Sequence, residues 1–300
     1  MNLHSLIEKA TQMNKAAIAV AAAEDKEVIG AVAAAAEKNM AKFLLFGNED
    51  KIKAVVKEAA PQLAEDAYVS IFHAETDSKA CELAVRSVHN GEADVLMKGN
   101  VPTAVILKAV LNKEYGLRTG NVLSHVAAFE VPGYERLIFV TDAAMNIAPD
   151  LNQKAQIIQN SVSIATSIGV DMPKVAPLAA VEVINPAMEA TLDAAALTQM
   201  NARGQIRNCI VDGPLALDNA VSIEAAEHKG IHSDTAGQAD ILLVPNIETG
   251  NVLYKSLIYF AKAKVGAVIA GAKAPIVLTS RSDSAESKLN SLALAICSLG

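Results

Sequence analysis

Two rhythms of apolar residues alternate along the chain. Short continuous runs recur at 16–22, 42–46, 68–72 and 94–97. Between them apolar residues repeat at three- and four-residue intervals, over 3–13, 26–38, 50–60, 78–89 and 102–111. The first pattern predicts buried strands, the second amphipathic helices. In the first helix Leu3, Leu6, Ile7 and Ala10 share a face. Pro61 stops the third helix, and Asn90-Gly91 turns the chain after the fourth. This alternation predicts an α/β fold with mostly parallel, helix-covered sheets.

The rhythm breaks at 112–121 (NKEYGLRTGN), a polar stretch with two glycines. Two strands follow in succession, 122–130 and 137–141, joined by Pro132-Gly133-Tyr134, which reads as a hairpin turn. Alternation then resumes. Helices are expected at 152–168, 186–202, near 221–228, 251–262 and 284–297, and strands at 175–183, 209–211, 241–244, 267–270 and 276–279. The break near residue 121 suggests a domain boundary or an antiparallel element. Ligands of open α/β sheets bind beyond the carboxyl ends of strands. The polar residues there are Lys98-Gly99-Asn100, Thr141-Asp142, Asp212-Gly213, Asn246 and Ser280-Arg281-Ser282-Asp283-Ser284.

Composition narrows the class. The 300 residues are 52% hydrophobic and 20% charged, which excludes a disordered chain. The net charge is −7 and no stretch is basic, so nucleic acid is not an expected partner. Cys81, Cys209 and Cys297 are too few and too scattered for a disulfide framework, and reduced cytosolic thiols are the simpler reading. A spanning helix needs about 20 consecutive apolar residues. The run from Ala16 ends at Glu24-Asp25, and 265–278 is broken by Gly266, Gly271, Lys273 and Pro275. The N-terminal MNLHSLIEK lacks the apolar core of a signal peptide. A cytoplasmic protein with no membrane partner is expected.

Candidate chemistry sits after the strands. At 275–284 an apolar strand runs into Thr279, Ser280, Arg281, Ser282, Asp283 and Ser284 before a helix. Helix N-termini favour anions, and an arginine grips phosphate bidentately. The plainer alternative is that Ser and Asp cap the helix and Arg281 makes a surface ion pair. Lys98-Gly99-Asn100 forms a second such turn, where Gly99 lets main chain approach a ligand. No GxxxxGK[ST] or GxGxxG occurs, so neither a P-loop nor a dinucleotide fingerprint is supported. In Gly250-Asn251-Val-Leu-Tyr254-Lys255, Asn251 is a candidate helix cap with Lys255 one turn on. His228 and His232 have the spacing of a metal pair but lack a nearby third ligand, so no metal is expected. His125 and Cys209 lie in apolar strands. No GxSxG elbow is present.

Five segments carry a family resemblance: ADVLMKGNVPT (93–103), TDAAMNIAPDL (141–151), DGPLALDNAV (212–221), ADILLVPNIETGNVLYK (239–255) and TSRSDS (279–284). Together, in this order, they resemble the phosphate acetyl/butyryltransferase family, and most closely its butyryl branch. The resemblance spans almost the whole chain. It implies interconversion of acyl-CoA plus phosphate with acyl phosphate plus CoA, through direct attack in a ternary complex. Coenzyme A is then a substrate, and no resident cofactor is called for. The implied fold has two domains like those of isocitrate and isopropylmalate dehydrogenases, with a substrate cleft between them. Residues 1–121 and 271–300 would form a discontinuous first domain. Residues 122–270 would form the second and carry the contact of a homodimer or higher homo-oligomer.

The family's Ser-Arg pair matches Ser280 and Arg281, implying oxyanion stabilisation by the first and phosphate binding by the second. The acetyl enzymes' basic Asp, seven positions after that Ser, is replaced by Ser287. Asp283 is taken as the base, with Glu286 the alternative. A family Arg aligns with Tyr259, and another approximately with Lys108. Both substrates are anions, so Lys98, Lys108, Arg118, Arg281 and Lys255 are the candidate cations. Gly99, Asn100, Asp212 and Asn251 complete the expected substrate-binding set. Two alternatives remain open at this point: a phosphate acetyltransferase, and a non-catalytic acyl-CoA-sensing domain. An NAD-linked dehydrogenase of the same fold would need metal-binding acids and an adenosine site that the sequence does not offer.

Overall fold

The computed structural model describes residues 1–13, 15–278 and 283–299. The chain forms two compact units: Leu3–Asn121 with Gly266–Gly300, and Met1–Asn2 with Val122–Val265.

The first unit begins with α1 (Leu3–Gln12), β1 (Ala16–Ala21), α2 (Lys26–Glu37), β2 (Ala41–Gly47) and α3 (Glu49–Ala59). After a 3₁₀ turn at Pro61–Glu65 come β3 (Val69–His73), α4 (Asp77–His89), β4 (Val95–Lys98) and α5 (Thr103–Val110). β1 pairs in parallel with β2 and β4, and β2 with β3. α2, α3 and α4 each start where a side chain takes up a free N–H. Asp25 accepts from Val28, Asn48 from Lys51 and Thr76 from Lys79.

The second unit opens with an antiparallel pair, β5 (Ser124–Glu130) and β6 (Ile138–Thr141), with Ala127 opposite Val140. The Tyr134 N–H donates to the Val131 carbonyl at 3.0 Å and closes the hairpin turn. There follow α6 (Leu151–Ser167), β7 (Lys174–Pro177), α7 (Glu189–Ala202), β8 (Ile210–Val211), α8 (Leu217–Val221), α9 (Ile223–His228), β9 (Ile241–Leu243) and α10 (Ile247–Tyr259). β6, β9, β7 and β8 are joined in that order, all in parallel. α6 starts with a reciprocal capping box between Asp150 and Gln153.

The chain then returns through β10 (Lys264–Ala270), β11 (Ile276–Val277) and α11 (Ala285–Cys297). β11 pairs in parallel with β4 and antiparallel with β10. α11 is buried from Lys288 to Cys297 and packs on α1 and α2. The Cys297 thiol reaches the Leu6 carbonyl at 3.7 Å. Such a helix, buried on every side, belongs to a core rather than a surface.

Several boundaries differ from expectation. The strand expected at 175–183 ends at Pro177, because beyond it only Leu178 finds a strand partner, Leu215. Val183 and Ile184 then project from an irregular loop, 61% and 60% exposed. The following helix starts at Glu189 rather than 186, with Thr191 holding the Asn185 and Met188 carbonyls. The helix near 221–228 divides at Ser222, whose hydroxyl caps α9. The last strand, expected to reach Thr279, is described only through Val277.

Burial controls the three thiols. It pushes Cys81 up to about 12, with Asp77 adding to the rise and Lys98 opposing it. Cys209 and Cys297 rise to about 11 for the same reason. An unfolded thiol ionises near 8.5, so between that value and 11–12 the folded chain retains protons that the unfolded chain releases. The thiol contribution to stability is therefore full below pH ~8.5 and is lost as pH climbs through the folded values. Denaturant midpoints should fall steadily above pH ~8.5, and Cys81→Ala should flatten part of that decline. A thiol reagent at pH 8 should label the protein only as it unfolds.

Candidate active site

In the first unit, β4 ends in Lys98 and the chain turns through Gly99 and Asn100. The Gly99 N–H donates to the Ala21 carbonyl at 2.8 Å, and the Asn100 N–H to Ala22 at 2.7 Å. The turn is thus laid directly on the end of β1. A Cβ on Gly99 would meet the Ala22 carbonyl oxygen at 2.0 Å, so this position requires glycine for space. α5 follows at Thr103 with no side-chain cap, which leaves its first N–H groups open to an anion. Lys98 is only 5% exposed, and its ammonium donates to the Gly99 carbonyl at 3.3 Å. Lys98, Gly99 and Asn100 therefore form one turn. Lys108, in the last turn of α5, and Arg118 in the loop beyond are both exposed, and neither enters an ion pair among the described residues.

Ser280 and Arg281 lie outside the described residues. Asp283 is half-buried, and its main-chain carbonyl accepts a hydrogen bond from the Lys288 ammonium. Ser284 caps α11 by accepting from the Ser287 N–H at 3.1 Å. Ser287, at the position of the family's acid, thus donates main chain to the cap. One further carboxylate reaches this edge of the sheet: Glu24 Oε1, just past β1, accepts from the Asn48 N–H at 2.5 Å.

In the second unit the post-strand residues divide by role. Asp142 is 3% exposed and committed to structure. Its carboxylate accepts from the N–H groups of Ala144, Met145 and Asn146 at 3.0–3.1 Å, and from Asn146 Nδ2 at 2.6 Å. Thr141 is likewise spent, donating to the His125 carbonyl at 2.8 Å. His125 is buried edge-on against Tyr254, which also packs on Phe129. Asp218 is held below the usual carboxylate range by the Asn219 N–H and by Lys229, which also reaches Glu182 at 3.3 Å. Asp212, in contrast, is half-buried at the end of β8, and among the described residues its N–H alone is engaged, with Val175.

Asn251 corrects the expected cap. The cap of α10 is Asn246, whose Oδ1 accepts from the Thr249 N–H at 3.0 Å. Gly250 lies inside the helix, where a Cβ would meet the Asp142 carbonyl at 2.7 Å. Asn251 is an exposed position in the second turn, with Lys255 one turn further on the same face, also exposed. His228 ends α9, and His232 lies beyond the Gly230 turn; both are exposed.

Three residues escaped the sequence reading. Lys154 is 6% exposed and bonds Asp193 at 2.5 Å, beside a small apolar recess at the ends of β7 and β9. Lys288 is 2% exposed. Glu24 is the third. Lys154 and Lys288 are the single lysines of α6 and α11, so no period separated a buried lysine from a solvated one.

The turn through Lys98, Gly99 and Asn100 lies at the carboxyl end of a parallel sheet in an α/β chain. The family model described as phosphate acetyl/butaryl transferase matches residues 71–296. The chain belongs to that family. It is 61% identical over 297 residues to a probable phosphate butyryltransferase of Bacillus subtilis, covering 99% of this chain and 98% of the relative. It is 47% identical over 294 residues to the phosphate butyryltransferase of Clostridium beijerinckii, covering 98% and 96%. The crystal structure of a branched-chain phosphotransacylase from Enterococcus faecalis superposes with a TM-score of 0.83 at 36% identity, covering 95% of this chain and 99% of that one.

Gly99→Ala forces main chain off main chain rather than displacing a flexible side chain. Overpacking of this kind costs about 1–3 kcal/mol. A urea titration should show that loss, with a turnover defect larger than the stability change explains.

Proposed function

We propose that this enzyme moves a short acyl group between coenzyme A and inorganic phosphate. The observation that carries the reading is the 61% identity, over 99% of the chain, to a probable phosphate butyryltransferase. In the forward direction a phosphate oxygen attacks the thioester carbonyl carbon. The carbonyl π electrons move to oxygen, giving a tetrahedral oxyanion. Its collapse breaks the C–S bond, and the CoA sulfur leaves as thiolate and takes up a proton. The products are acyl phosphate and CoA.

The work left to the protein is to position two anions and to meet the oxyanion with preorganised donors. We assign oxyanion stabilisation to Ser280 and phosphate binding to Arg281. Asp283 serves as the base that takes the CoA thiol proton in the reverse direction. Lys98 offers positive charge at the turn through Gly99 and Asn100, whose own N–H groups are bound to the end of β1. Lys108, Arg118 and Lys255 are exposed cations, and Asp212 and Asn251 complete the polar set. Coenzyme A acts as a substrate, and no step calls for a metal. Among the described residues no helix is long and apolar enough to cross a membrane; the cytoplasm, where acyl-CoA is found, is the proposed compartment.

The four-carbon preference is part of the proposal. Two extra buried methylenes contribute about 0.8 kcal/mol each, or about 15-fold together. Phosphate-dependent CoA release should therefore be fastest with butyryl- or isobutyryl-CoA, compared by kcat/KM. Fastest release with acetyl-CoA moves the protein to the acetyl branch, and binding without release makes it a sensor. In the same assay Arg281→Ala should raise the KM for phosphate at least about tenfold, as expected for losing a charged hydrogen bond.

We also propose a homodimer. Val252, Tyr259 and Phe260 are 65%, 62% and 87% exposed along α10 and its end. Positions seven or eight apart share a helix face. Phe260→Glu should halve the mass measured by light scattering, and a wild type that is already monomeric removes this assignment.

A further inference from the structure

Lys288 sits where a cation is costly. It is 2% exposed and is the fourth residue of α11, which begins at Ala285. Its ammonium donates to the Asp283 carbonyl. Among the described residues no carboxylate pairs with it. Three penalties therefore coincide. Burial strips water from the charge. No opposite charge compensates for that loss. The first turn of a helix is its positive end, which disfavours a further cation. A single carbonyl offsets only part of this. Lys154, also buried, shows the ordinary solution, a carboxylate at 2.5 Å.

A bound anion would relieve all three penalties at once. We propose that Lys288 is a positioning residue for the phosphate of a substrate. It places buried positive charge behind the start of α11 and fixes Asp283 through its main chain, without touching the reacting atoms. That the anion is a substrate phosphate rests on the acyltransferase reading above.

The test compares wild type, Lys288→Met and Lys288→Gln. Melting temperature is measured with and without inorganic phosphate, alongside steady-state kinetics. Without phosphate, Lys288→Met should melt at or above the wild type, because an uncompensated buried charge has been removed. Its phosphate-induced rise should shrink, and its KM for phosphate should increase about tenfold or more, in line with the loss of a charged interaction. The KM for the CoA ester should stay near wild type. Lys288→Gln removes the charge but keeps a donor for Asp283, so it carries the same test if the Met variant does not fold.

Equal phosphate-induced rises in wild type and variant would overturn the proposal. So would a lowered melting temperature with an unchanged phosphate KM, which marks a merely structural lysine. A wild type that releases no CoA, yet is stabilised by phosphate through Lys288, would overturn the acyltransferase reading and the substrate role while keeping Lys288 as part of an anion site.

Discussion

Parallel pairing of β4 with β1 on one side and β11 on the other is the constraint on which the candidate site depends. Parallel strands end at the same edge of a sheet, so whatever follows each one emerges there. Met97 lies opposite both Val20 and Val277. One residue later the chain leaves β4 as Lys98 and turns at Gly99 against the Ala21 and Ala22 carbonyls. A side chain at Gly99 would meet the Ala22 carbonyl and lift the turn off β1, and with it the start of α5.

The alternation of elements was readable from apolar periodicity because most helices are one-sided and most strands fully buried. In β4 every residue is buried, and in α3 the two buried residues, Ile52 and Val56, lie one turn apart. Misreadings fell where hydrophobicity and hydrogen bonding part company. Val183, at the end of the expected strand, is apolar but finds no strand partner among the described residues. Asn251 looks like a cap because it follows a glycine, yet Gly250 is there to pack against Asp142. α11 has almost no polar face, so nothing in its pattern singled out Lys288.

Polar positions beyond strand ends were legible in the sequence; what each side chain does there was not. Residues beyond strand ends carry polar side chains for two reasons, to serve ligands and to satisfy main chain. Asp142 and Asn246 belong to the second kind, since their oxygens are consumed by N–H groups a few residues on. Asp212 and Lys255 come from the same local pattern, but their side chains do not cap the main chain beside them. Only three-dimensional accounting of hydrogen bonds separates the two groups.

The burial of α11 between α1 and α2 bears on how the protein is made. One unit is completed by strands and helices that follow one another along the chain. The other places its last helix against its first, with Cys297 touching Leu6. During synthesis, the early half of that unit leaves the ribosome with an apolar surface uncovered. It must wait while the whole intervening unit is built. Nascent residues 3–121 are thus the stretch most in need of shelter by a chaperone, and the stretch from 122 to 265 is free to fold while they wait.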